Sequence, residues 1–203
     1  VTDVSFDAMC KVKPWDYPIL FWLQKCQQNK MKVVDAGGHM GTKYIAFESL
    51  IDLSSINWTI YDLDAIVKAG KQRQADGKLP EQIIFESDLS ACGAADILLA
   101  SGLLQYLDVP LSQLVKQMQT PPQFIFLNKV AMRDGPAFFT LEQIGPSKVP
   151  YQIRCKSDFE SEIAAMGYRV LDQWEIPELS HVIATHPLKG ASESCGYILE
   201  RVD

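Results

Sequence analysis

The residues best suited to chemistry lie in one short run, Val33-Val34-Asp35-Ala36-Gly37-Gly38-His39-Met40-Gly41. A β-branched strand ends in an acid, and Gly37, Gly38 and Gly41 follow it. Glycine accepts positive φ and lets a bound group approach the main chain closely. An acid at the strand end suits a ligand with an ammonium or sulfonium charge and suits a pyrophosphate badly. The spacing agrees. The dinucleotide fingerprint has four residues between its outer glycines, whereas three separate Gly37 from Gly41. Further acids follow later strand-like runs. In open α/β sheets ligands lie over the carboxyl ends of the strands. Asp62, after Thr59-Ile60-Tyr61, is placed to take both hydroxyls of a ribose. Asp88, after Ile84-Phe85-Glu86-Ser87, is placed to accept from the exocyclic amine of a base. Leu63 and Leu89 would then flank the ring faces, with Ser87 beside them. Asp64 reads as a helix cap.

Such a set of strand ends needs a sheet to hold it, and the chain has the pattern of one. Short apolar runs alternate with helical segments, which predicts a doubly wound α/β fold with a mostly parallel sheet. Strands are expected at 32–35, 57–61, 82–85, 95–100 and 124–128, with helices at 41–50, 64–74 and 110–118. A helix at 17–28 precedes them. Ser157 is expected to cap a helix ending at Gly167. Two closing strands at 168–174 and 197–201 bring the expected number to seven. Residues 1–30 read as an N-terminal helical cap. Tyr17, Phe21 and Trp22 either cover the cleft or pack that helix on the sheet, and packing is preferred for Phe21 and Trp22. Residues 129–151 and 177–194 read as long loops on the substrate side, since loops of that length commonly carry function. Nothing marks a boundary within 1–203, so one domain is expected.

Composition narrows the partners. The 203 residues carry a formal net charge of −6, with 22% charged residues and no Lys/Arg cluster, which disfavours nucleic acid as a partner. The five cysteines are scattered, with no Cys-x-x-Cys pair, as suits a reducing cytoplasm. No run is long and apolar enough to span a bilayer, and no secretory leader is recognised. No His/Asp/Glu group has metal-ligand spacing, so metal-independent chemistry is expected.

The fourth strand runs into Ser101-Gly102-Leu103-Leu104-Gln105-Tyr106-Leu107. Its leucines read as core, and Ser101, Gly102, Gln105 and Tyr106 as cleft residues. On these runs the chain resembles the class I S-adenosylmethionine (SAM)-dependent methyltransferases, which have a Rossmann-like fold. It is more closely similar to a little-characterised bacterial family among them. The matching runs are Asp16 to Leu23, Asp35 to Gly41, Trp58 to Asp62, Leu99 to Leu107, Asp134 to Gly145, and His186-Pro187. His39 stands where the first methyltransferase motif has its middle glycine.

The resemblance implies SAM as cofactor, held around Asp35, Gly37, Gly38, His39, Gly41 and Asp62. It implies no particular acceptor, although an association with glycan synthesis hints at a sugar. Methyl transfer to a hydroxyl is helped by a base, and His186, His181 and Asp134 are the candidates, each with a plain surface or turn role as the alternative. Gln105, Tyr106, Arg133, Thr140, Gln143 and Tyr151 are candidate acceptor-binding residues. The expected activity is thus methylation of a small molecule, on oxygen. A non-catalytic binder of the same fold and an NAD-dependent oxidoreductase are the competing readings.

Overall fold

The computed structural model describes residues 6–202. Five parallel strands, β1 (Lys32–Ala36), β2 (Asn57–Tyr61), β3 (Ile83–Glu86), β4 (Ile97–Ser101) and β5 (Phe124–Arg133), lie in the order β3-β2-β1-β4-β5. The strand order reverses direction between β1 and β4, which places a crevice at their carboxyl ends. On the far side of β5 lies the antiparallel β9 (Glu193–Arg201), and β8 (Tyr168–Glu175) pairs antiparallel with β9. The central strands are apolar almost throughout because both faces are covered: β1 buries every residue but Lys32, and β4 every residue but Ser101.

One face is covered by α2 (Tyr17–Cys26), α3 (Thr42–Glu48) and α4 (Asp64–Ala75). Its core includes Leu23, Phe47, Ile66 and Phe85, with Trp58 fully enclosed. Edge-on contacts to Tyr44 and Phe47, at 5.7 and 6.5 Å, hold that indole. The opposite face is covered by α5 (Leu111–Lys116) and α6 (Lys156–Ala165), through Leu114, Phe159 and Ile163 against Leu98, Ile125 and Tyr197. Helices on both faces make the sheet doubly wound.

The sheet departs from the sequence expectation at residues 129–151. The segment is strand, not loop, so the described residues hold nine strands instead of seven. The fifth strand continues to Arg133, and β6 (Phe138–Ile144) and β7 (Ser147–Cys155) form a hairpin across the turn Gly145-Pro146, where Gly145 takes φ 56°. This hairpin is solvated on much of its surface and alternates half-buried with exposed positions along β6. That alternation, with Pro150 inside β7, reads locally as irregular chain. The end of β7 then pairs parallel with β5 at Met132 and Arg133, just past where β4 stops. Ser157 is not the cap: α6 begins at Lys156, with Cys155 preceding it. Within 177–194 the expected loop holds two short 3-10 turns and an isolated bridge from Val182 to Ala191. No helix among the described residues is long and apolar enough to cross a membrane.

Candidate cofactor and acceptor site

The turn after β1 is built on left-handed backbone at three places: Gly37 (φ 69°), His39 (φ 55°) and Gly41 (φ 79°). The turn is tied down by Gly37 N–H donating to Tyr61 O and Gly41 N–H to Gly38 O. His39 therefore occupies a conformation that glycine adopts freely, in the one positive-φ region where histidine is enriched. Its ring lies 6.2 Å from that of Phe6, in the short helix α1 (Phe6–Met9). Gly38 is glycine for a different reason. A Cβ there would stand 2.6 Å from the Asp35 carboxyl and 2.9 Å from Ile60.

Asp35, next to last in β1, has 1% of its surface exposed. Burial pushes its carboxyl up from 3.8 to about 7, against the opposing pull of a Trp58 Nε1–H donation at 3.3 Å and of Lys43 and Lys129 nearby. Asp62 turns toward the same loop. Its Oδ2 accepts from His39 N–H at 2.8 Å, and its Oδ1 from Leu63 N–H at 2.7 Å. Each oxygen retains a further lone pair for a hydroxyl donor. Leu63 projects beside it, 75% exposed, as an apolar shelf. Asp88 caps a 3-10 turn at Leu89–Cys92, accepting from Ser90 N–H and Oγ–H at 2.9 and 2.8 Å, which hold its carboxyl below the ordinary range. Ser87 is exposed beside it. Leu89 points inward into the core with Leu98 and Leu104, so its expected place against a ring face is not where its side chain lies.

Between β1, β4 and β5 a cavity of about 190 Å³ opens. Asp35, Gly37, Gly38, Thr42, Lys43, Ser101 and Lys129 form its floor, and Ala8, Met9, Lys11, Lys13 and Trp15 of the N-terminal segment form its cover. Within the expected cap at 1–30, the residues over the cavity precede the helix at 17–28. That helix packs on the sheet through Ile19, Leu20 and Leu23, and Trp22 donates to Asp172 at 2.7 Å. Tyr17 and Phe21 are exposed.

The cover is fastened by residues that the sequence reading did not single out as site residues. Asp16 is fully buried and its carboxylate receives four hydrogen bonds from three donors. Lys43 Nζ stands 2.7 and 2.8 Å from its two oxygens, Lys13 N–H at 3.0 Å and Asn128 Nδ2 at 3.2 Å. Asn128 also donates to Trp15 O at 3.0 Å. A buried acid between an ammonium and two amide donors is compensated, which is the condition for keeping a charge out of water. The only signal in the sequence was the Asp16-Tyr17-Pro18 run.

The remaining expected residues lie elsewhere. Ser101 and Gly102 stand at the end of β4. The Ser101 Oγ is buried without a hydrogen-bond partner, and Gly102 (φ 78°) donates its N–H to Asn128 O. Gln105 is buried, and Tyr106 donates its hydroxyl to Glu142 and sets its ring edge-on to Tyr151 at 5.6 Å. Arg133 donates to Pro136 O and Lys189 O at 2.7 and 2.9 Å, tying the hairpin root to the late loop.

None of the three expected bases lines the cavity at Asp35. Asp134 sits exposed in the turn before β6. His181 contacts Leu179 O at 3.1 Å, and His186 contacts Thr185 Oγ1 at 2.9 Å. Instead His186, Thr140 and Gln143 border a separate open groove of about 610 Å³ along the hairpin. Local sequence carried no information on this distance, because the hairpin itself was unread. Among the described residues no cluster of three or more metal-ligating side chains forms.

No family model matches the chain, and no curated protein sequence matches it. Solved structures do. The glycopeptide N-methyltransferase MtfA complexed with SAM superposes with a TM-score of 0.59 at 12% identity, over 93% of this chain and 94% of that one. The N-terminal domain of EvdMO1, in the presence of S-adenosylhomocysteine (SAH) and D-fucose, gives 0.62 at 10%, over 94% and 84%. The 1,6-didemethyltoxoflavin-N1-methyltransferase of Burkholderia thailandensis, with bound 1,6-didemethyltoxoflavin and SAH, gives 0.55 at 17%, over 100% and 80%. At these identities the likeness is one of fold: the chain has the Rossmann-like fold of the class I SAM-dependent methyltransferases.

Proposed function

We propose that this chain binds SAM over the carboxyl ends of β1, β2 and β4 and transfers its methyl group to a hydroxyl of a small molecule, with a sugar as the favoured class. The observation that carries the reading is the pairing of the Gly37–Gly41 turn with Asp62 on one side and the cavity floored by Asp35, Ser101 and Lys129 on the other. The cavity is smaller than the roughly 300–1,000 Å³ of most ligand pockets, which suits the amino-acid end of SAM. Asp35 and the unpartnered Ser101 Oγ lie on its floor to receive the ammonium, and Lys13 on its cover is available to the carboxylate. The nucleoside would lie across the open shelf at Leu63, with its ribose on Asp62 and its base toward Asp88.

SAM supplies an electrophilic methyl group, so the chain's own task is to hold the acceptor in line with it and take up a proton. The fold of the neighbours supports this reading, as does the D-fucose present with EvdMO1 for the acceptor class. Calorimetric titration with SAM and with SAH tests it. Saturable binding of both is expected, and binding of neither overturns it.

A further inference from the structure

A β-bulge interrupts the pairing of β5 with β9 between Leu127 and Val130. An extra residue in a strand re-aims the side chains that it carries, and bulges recur beside active sites for that reason. Here the two residues concerned are Asn128 and Lys129. The first fastens the N-terminal cover. Lys129 takes φ 58°, a strained value for a residue with a side chain, and its ammonium group reaches back over the end of β4. A Cβ placed on Gly102 would meet Lys129 Nζ at 3.0 Å and Cε at 3.1 Å, so the amine lies close against this glycine. Nζ makes no hydrogen bond or ion pair with any described residue, in contrast to Lys43, which spends its charge on Asp16. Ser101 Oγ, buried and unpartnered, lines the same cavity.

An amine held in a cleft with no direct hydrogen-bond or ion-pair partner has two uses: to bind a negative group or to accept a proton. We propose that Lys129 is the base that takes the proton of the acceptor during methyl transfer. The proposal rests on the SAM reading above. As the acceptor oxygen bonds to the methyl carbon, the carbon–sulfur pair passes to sulfur. The hydroxyl proton passes to the lone pair of Nζ, which releases it to water after product leaves.

The charged groups facing Nζ agree with this. Asp35 near the end of β1 and Asp16 in the cover favour the ammonium, and Lys43 on α3 disfavours it. Burial dominates, and it brings the amine down to about 8. An enzyme's lysine base is tuned to that range near neutral pH.

The test is competitive labelling of the whole chain with acetic anhydride over a pH series, read by peptide mass spectrometry, alone and with saturating SAM or SAH. For the free protein, a Lys129 midpoint near 8 is expected, against about 10 for an ordinary solvated lysine side chain. The sulfonium of SAM is positive and SAH is neutral at sulfur. An amine beside the reacting centre must therefore titrate lower with SAM bound than with SAH bound, by about one pH unit or more. A midpoint near that of exposed lysines in the free protein overturns the proposal. So does an equal rise with both ligands, which would mean that Lys129 holds the donor carboxylate. Loss of all labelling with SAH bound would place the amine beneath the donor and also overturn it. Lys129→Met and Lys129→Gln should bind SAH within threefold of the parent, and a tenfold loss in a folded variant counts against an acceptor-side role. If neither SAM nor SAH binds the parent chain, the SAM reading fails by itself, and the Lys129 midpoint in the free protein still reports on the amine.

Discussion

Replacing Asp35 with asparagine separates what the fold wants from what the site wants. The carboxyl titrates at about 7 in the fold and at the ordinary 3.8 when unfolded, with burial as the main cause. Between those values the unfolded chain has released this proton and the folded chain still holds it. Stability contributed by the group is therefore full below about 4, falls as pH rises, and is lost above about 7. The difference of about 3 pH units corresponds to about 4 kcal/mol at 1.36 kcal/mol per unit. Asparagine has nearly the same shape, keeps an oxygen for Trp58 Nε1 and never ionises. Asp35→Asn should thus be more stable than the parent at pH 7.5 by up to about 4 kcal/mol, with the gain shrinking toward zero near pH 4. Urea unfolding at five pH values between 4 and 8 measures this, and the same protein should bind SAM roughly 10- to 100-fold more weakly for want of a charged partner to the ammonium. A gain that is absent at pH 7.5, or constant across the series, would refute the buried-carboxyl argument. Undiminished SAM affinity would refute the place assigned to the ammonium.

Asp62→Ala should weaken SAM by about 1.5–3 kcal/mol, the range for hydrogen bonds to a charged group, and calorimetry that finds equal affinity would remove the ribose from this position. Lys43→Met leaves the Asp16 carboxylate buried without its cation and should cost about 3–5 kcal/mol in urea unfolding. The double change Asp16→Asn with Lys43→Met should recover part of that loss. Gly38→Ala forces a methyl group against the Asp35 carboxyl and should destabilise by about 1–3 kcal/mol, lowering the thermal midpoint.

Much of the architecture was legible in the chain because it is written in local pattern. The β-branched and aromatic runs ending at Ala36, Tyr61 and Glu86 mark strands, since burial on both faces selects apolar residues there. Asp35, Gly37, Gly38 and Gly41 are equally local, because a tight strand-to-helix turn requires glycine whatever else surrounds it. What the tertiary structure decided is which distant residues share the cleft. Asp16 and Asn128 are 112 positions apart in the chain and meet only because the N-terminal segment lies over the middle of β5, level with the end of β4. Lys129 looked like the first residue of a loop, and only pairing with β9 makes it the amine of a bulge. The 138–155 hairpin, half solvated, has no apolar run to announce it, and its formation carried the expected bases His186 and Asp134 away from the cavity. Propensity and periodicity act over a few residues, whereas burial of a charge is settled by partners that the topology brings from elsewhere.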